Sequence, residues 1–105
     1  MTILRRLIRA NGETADFVAP LSIADIEAII GADVVDSVLL ADRVHVMVVD
    51  DQGHPKGLPL NETATHLYWD RCGGITDHYI VGDVVIVPDS DFAPRGGPLE
   101  RHSPP

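Results

Sequence analysis

The densest group of reactive side chains runs from His66 to His78 and also holds Asp70, Cys72 and Asp77. Zinc sites need three or four ligands, usually with two paired at a short spacing. Here the order is His-x5-Cys-x5-His, with no Cys-x2-Cys or His-x3-His pair beside it. On a helix, His66 and Asp70 lie one turn apart, where they hold a metal or simply a local hydrogen bond. Cys72 has His66 and His78 within reach in sequence as activating bases. It falls, however, next to Gly73-Gly74, at a helix C-terminus, where the dipole disfavours a thiolate. Cys72 is therefore read as a small, partly buried residue closing a helix cap. A small enzyme or metal protein using His66, Cys72 or His78 stands third among three functional classes, and no metal or other cofactor is expected.

Other residues with chemical potential read structurally. His45 sits in a strand, sharing a side with Met47 and Val49, and is expected to be a satisfied core or edge histidine. Asp50-Asp51 before Gly53 lacks the alternating acids and closing Glu of a calcium loop, and Asp commonly opens turns. GGITDH is followed by no lysine and precedes a strand, so no phosphate-binding loop is present. Tyr68 and Trp69 diverge by about 100° on a helix. Tyr68 then continues the Ala64–Leu67 face into the core. Trp69 falls at the boundary, where a partly exposed Trp makes an interface anchor.

Charge narrows the classes further. The 105 residues carry a formal net charge of −8. Arg5, Arg6 and Arg9 make the first ten residues basic, whereas residues 11–94 hold 15 acids against Arg43, Lys56 and Arg71. A body this acidic repels phosphate, so direct nucleic-acid binding is disfavoured, the N-terminal arginines being its one possible footing. No run of apolar residues is long enough for a membrane span. MTILRRLIRANGE has no long apolar core, so no secretory signal is expected. A lone thiol then points to a reducing cytoplasm.

The elements that must position these residues follow from periodicity and turn chemistry. Residues 2–9 and 14–19 read as strands joined at Asn11-Gly12. After Pro20, residues 22–30 read as a helix capped by Ser22 and Asp25 and stopped by Gly31. Residues 33–40 and 44–50 read as strands; VHVMVVD is apolar on both faces, as in a central strand. DDQGHPKG is a polar turn. Asn61 caps a second helix over 61–71, and YIVGDVVIV (79–87) is a strand, with Gly82 marking a bulge or close backbone approach. Residues 89–105 are rich in Pro and Gly and read as a flexible tail, leaving one domain over 1–88.

GLPLNETATHLYW (57–69) and IVGDVVIV (80–87) also carry a resemblance. The chain resembles a small family of domains of unknown function that occurs in bacteriophages, plasmids and actinobacterial genomes. The shared pattern is an early strand, a helix ending near a Gly, two strands, a Gly-x-Pro-x-Asn-x-x-Ala-Thr segment and a late Gly-Asp strand. It spans roughly residues 20–88 and is most specific from Leu58 to Thr65. No activity or catalytic residue comes with it. It implies a mobile-element accessory protein of the bacterial cytoplasm. The segment has its own physical reading too: Pro59 fixes the chain's approach, Asn61 caps the helix, and Ala64 permits close helix–sheet packing.

Together these readings predict an α+β domain. A mainly antiparallel sheet of four to five strands packs against two helices, and strands 44–50 and 79–87 pair. The expected core is Ile26, Ile29, Val46, Val48, Leu60, Leu67, Val84 and Ile86. The leading function is a non-enzymatic interaction module that binds a bacterial or element-encoded protein through Trp69, Asp42, Asp50, Asp51 and Asp70. The second is a counter-defence protein whose acids imitate nucleic acid and block a nuclease or CRISPR effector. A core this small also favours self-association, so a homo-oligomer is possible.

Overall fold

The computed structural model describes residues 3–92. Its elements, in chain order, are β1 (Arg6–Ile8), β2 (Thr14–Asp16), α1 (Ile23–Ile30), β3 (Val35–Leu39), β4 (His45–Asp50), α2 (Gly53–Lys56), α3 (Glu62–Cys72) and β5 (Val84–Pro88), followed by a 3-10 turn over Asp89–Asp91. The five strands form one sheet in the order β2-β1-β5-β4-β3, and every pairing is antiparallel. The fold is α+β, as the patterning predicts. The pairing of β4 with β5 is also as expected, with Met47 opposite Ile86 and Val48 opposite Val85.

Each long helix carries its own start and stop. The Ser22 hydroxyl accepts from the Asp25 N–H at 3.0 Å, and the Asp25 carboxylate accepts from the Ser22 N–H at 3.1 Å. This reciprocal cap satisfies two of the free donors at the helix start. Gly31 ends α1 at φ 73°, a conformation that costs an L-residue with a side chain. Eight residues are too few for a stable isolated helix. α1 is held instead by Ile26 and Ile30, one turn apart and buried against the sheet. α3 starts on Asn61, whose side chain accepts from the Ala64 N–H at 3.0 Å, and it stops at Gly73.

The sheet is covered on both faces. On one, α1 packs Ile26 and Ile30 against Leu7, Val46, Val48, Val85 and Val87. On the other, Ala64 of α3 meets Ile8, Met47, Val84 and Ile86. This explains why β4 and β5 are apolar at nearly every position: both are interior strands buried from two sides. Ala64, with no side chain beyond Cβ, lets α3 lie close to the strands.

Several expectations need correction. The polar turn over 50–57 contains a third, short helix, α2, whose Gly53 is buried; a Cβ there would lie 2.9 Å from a Val81 methyl. The hairpin at Asn11-Gly12 is real, but its loop runs over residues 9–13, held by the Arg9 N–H to the Glu13 carbonyl. β5 begins at Val84, not at 79. Gly82 adopts φ 80° with Leu58 packed where a Cβ would stand, and the chain before it forms a single bridge, Leu60 opposite Val81. At that bridge Leu60 turns outward and is 46% exposed, so it leaves the expected core. Ile29 and Leu67 pack at the margins. The expected tail starts too early as well. Asp91 pairs with Arg5, and Phe92 packs on the α1 side of the core. The rest of that tail, residues 93–105, lies outside the described residues.

Candidate functional site

An open cleft of about 550 Å3 is lined by Leu60, Glu62, Thr65, His66, Trp69 and Tyr79. Four of these share one helical face, since Glu62, Thr65, His66 and Trp69 stand at i, i+3, i+4 and i+7 on α3. Leu60 comes from the bridge before the helix and Tyr79 from the returning chain.

The walls of the cleft are braced. The Thr65 hydroxyl accepts from the Ile80 N–H at 2.9 Å and donates to the Ile80 carbonyl at 3.3 Å, which fixes the segment carrying Tyr79. His54 of α2 donates from Nε2 to the Tyr79 carbonyl at 3.1 Å, and the two rings meet edge to face at 5.1 Å. The Trp69 indole N–H donates to the His78 carbonyl at 2.8 Å, and the His66 ring lies 5.4 Å from the indole. Both aromatic walls are thus held by contacts outside the cleft. What they offer an occupant is ring surface. Such a site binds by shape, apolar burial and π-face electrostatics.

The Leu58–Thr65 segment supplies Leu60, Glu62 and Thr65 of the lining. Asn61 is buried and bonded at every polar atom. Its Nδ2 donates to the Ile8 carbonyl at 3.0 Å and the Gly82 carbonyl at 2.9 Å, its Oδ1 caps α3, and its own N–H bonds to the Ile80 carbonyl. The most specific part of the sequence pattern therefore ties β1, α3 and the start of β5 together. It is a structural hub, as the physical reading of Pro59, Asn61 and Ala64 predicts.

The acids read as contact residues separate in the structure. Trp69 lines the cleft, and Asp70 beside it is exposed. Asp51 is exposed in a smaller hollow of about 180 Å3, where Asp36, His54 and the other side of Tyr79 also lie. Asp50 turns inward: its side chain is 1% exposed and meets Lys56 Nζ at 2.6 Å. Burial pushes this carboxyl up, but the Lys56 ammonium and the Gln52 N–H outweigh it and hold it below the ordinary range. Asp50 is a structural acid, so the reading of it as a contact residue is corrected. Asp42 caps the turn before β4, accepting from the Val44 and His45 N–H groups, both at 2.9 Å. Those bonds, the His45 backbone first, lower its carboxyl to about 2. Asp42 precedes β4 and Asp51 follows it, so the two acids lie at opposite ends of that strand.

His45 is satisfied as expected, in the core rather than at an edge. It is buried, its Nε2 accepts from the Leu4 N–H at 2.9 Å, and its Nδ1 lies 2.6 Å from Asp42 Oδ2. The amide donor at Nε2 places the ring proton on Nδ1. Cys72 is exposed rather than partly buried. Hydrogen bonding to it, reinforced by burial, raises the Tyr68 phenol. Among the described residues no group of three metal-ligating side chains converges, so His66, Cys72 and His78 form no cluster of that kind.

The N-terminal arginines are committed as well. Arg5 pairs with Asp91 at 2.8 Å, Arg6 with Asp16 at 2.6 Å and Arg9 with Asp83 at 2.7 Å. Each thus already has a carboxylate where a phosphate contact would need it free. No helix among the described residues is long and apolar enough to cross a membrane. No family model matches the chain, and searches of curated proteins and of solved structures return no match. Sequence reasoning found Trp69, singled out His66 for metal or base chemistry, and missed Leu60, Glu62, Thr65 and Tyr79 as neighbours of Trp69. The i, i+3, i+4, i+7 spacing of Glu62, Thr65, His66 and Trp69 was the available signal; Leu60 and Tyr79 carried none.

Proposed function

We propose that the chain is a non-enzymatic interaction module whose partner protein seats an anchor in the Trp69–Tyr79 cleft. The observation that carries this reading is the cleft's construction: two aromatic side chains and Leu60 in its lining, and braces to the His78 and Tyr79 carbonyls that hold the aromatic walls. Partly exposed aromatic residues at a concavity are the usual anchors of protein interfaces. A mobile-element setting in a bacterial cytoplasm is part of the proposal and rests on the resemblance over residues 20–88. The acidic-mimic alternative draws on the same net charge, but Asp16, Asp42, Asp50, Asp83 and Asp91 are engaged within the fold.

The test is affinity capture from bacterial cytoplasm, with and without nuclease, using the wild-type chain and Trp69→Ala as parallel baits. One stoichiometric protein that survives nuclease and is lost from the variant supports the module. A captured protein retained equally by both baits, or none retained by the wild type, overturns it. Capture of a nuclease that dissociates steeply with salt selects the counter-defence version.

A further inference from the structure

We infer that the occupant of the cleft is an arginine side chain of the partner, its guanidinium laid against the Trp69 ring and paired with the Glu62 carboxylate. This rests on the interaction reading above and names its chemistry. Three observations converge. The Trp69 N–H is already spent on the His78 carbonyl, so the indole presents a π surface and no free donor. Tyr79 supplies a second ring, and each ring contacts a histidine rather than the other. Glu62, the one carboxylate lining the cleft, is exposed and its side chain joins no hydrogen bond or ion pair, while no lysine or arginine lines it.

Two aromatic faces beside a free carboxylate attract a cation that tolerates partial dehydration. A guanidinium suits them better than an ammonium, because it is planar, weakly hydrated and able to fork onto a carboxylate while stacking on a ring. The surroundings agree in sign. Asp36 and Asp51 lie on the other side of Tyr79, and the whole chain is at −8. Among the described residues no cation of the chain is placed to fill the cleft. Arg5, Arg6, Arg9 and Lys56 are ion-paired, and Arg71 donates to the Leu39 carbonyl. Among the described lysines and arginines only Arg43 is free, and it precedes β4, whereas Tyr79 lies beside that strand's far end. A second copy could offer its Arg43, but two chains at −8 repel one another.

Trp69 is the only tryptophan, so its emission reports the cleft directly. The full chain is titrated with blocked pentapeptides Gly-Leu-X-Leu-Gly, where X is arginine, lysine or the neutral isostere citrulline. The expected result is a saturable change with the arginine peptide, about threefold to fivefold weaker binding of the lysine peptide, and no saturation with citrulline. Glu62→Gln should weaken the arginine peptide about tenfold. Glu13→Gln, which removes the same charge at the β1–β2 turn, should leave it unchanged. Equal binding of arginine and citrulline peptides, or equal effects of the two Glu variants, overturns the inference. So does an emission change that follows protein concentration alone and vanishes in Arg43→Gln, which would make the occupant a second copy. If capture depends on Trp69 but the peptides are not discriminated, the arginine assignment fails and the interaction module stands. If capture is indifferent to Trp69, the module itself fails.

Discussion

Asn61 offers the sharpest test of how this fold is held. Replacing it with alanine removes the α3 cap, which is worth about 1 kcal/mol. It also strands the Ile8 and Gly82 carbonyls, buried acceptors that the Asn61 amide now satisfies, at about 1 kcal/mol each. The expected loss is about 3 kcal/mol. With a urea slope of about 1–1.5 kcal/mol per M for a domain of this size, the midpoint should fall by about 2–3 M. Trp69 emission and far-UV circular dichroism follow the transition. Asn61→Asp separates the two contributions. It keeps the capping oxygen but points a second oxygen at two carbonyls, so at neutral pH it should be less stable than Asn61→Ala. That carboxyl is raised in the folded state above its ordinary value near 3.9. A raised group contributes most below its unfolded value and loses that contribution as pH rises through the folded one. Asn61→Asp should therefore recover relative to Asn61→Ala between pH 7 and pH 5, as a protonated oxygen again donates to one carbonyl. A loss below about 1 kcal/mol in Asn61→Ala would refute the assignment of Asn61 as a hub. So would an Asn61→Asp variant as stable as the wild type at pH 7.

Other perturbations follow from the same contacts. The Asp42 carboxyl is lowered to about 2, so its contribution is present above the unfolded value and lost as pH falls from about 4 to 2. Asp42→Asn should flatten acid unfolding in that window, by about 1 kcal/mol after allowance for a side chain half in solvent, read by circular dichroism. Lys56→Ala leaves the Asp50 carboxylate buried without its cation and should cost about 2–3 kcal/mol, whereas Lys56→Met with Asp50→Asn should cost far less, as a double-mutant cycle in urea would show. Gly82→Ala forces a side chain onto φ 80° with its Cβ 2.7 Å from a Leu58 methyl, for a loss of about 1–2 kcal/mol. Adding Leu58→Ala should not restore stability, since the backbone cost persists.

Much of the fold is legible from short-range chemistry. Ser22, Asp25 and Gly31 bracket α1, and Asn61 and Gly73 bracket α3, because caps are bonds between residues at most a few positions apart. The two-sided apolar pattern of VHVMVVD marks β4 as an interior strand. The start of β5 escapes the local pattern for the same reason in reverse. Tyr79-Ile80-Val81 is β-branched and aromatic enough to read as strand, but the chain there bends to deliver carbonyls to Asn61, and no local pattern records that demand. DDQGHPKG read as a turn because Gly and Pro dominate it; its one helical turn depends on Gly53 fitting under Val81.

The cleft and the charges belong to the other category. Arg5 meets Asp91 and Arg9 meets Asp83 only because β1 inserts between β2 and β5, bringing the two ends of the described chain into one sheet. The composition announced an acidic protein with a basic start, and strand order cancels that start residue by residue. Asp50 and Asp51 are neighbours with identical side chains, yet alternation along the strand end sends one into the core against Lys56 and leaves the other in solvent. Leu60 and Tyr79 become walls of one site because a single bridge sets Leu60 against Val81. Periodicity and capping are properties of consecutive residues and can be read along a chain. Which carboxylate meets which arginine, and which aromatic faces which, depends on pairings between distant segments that only the closed sheet brings together.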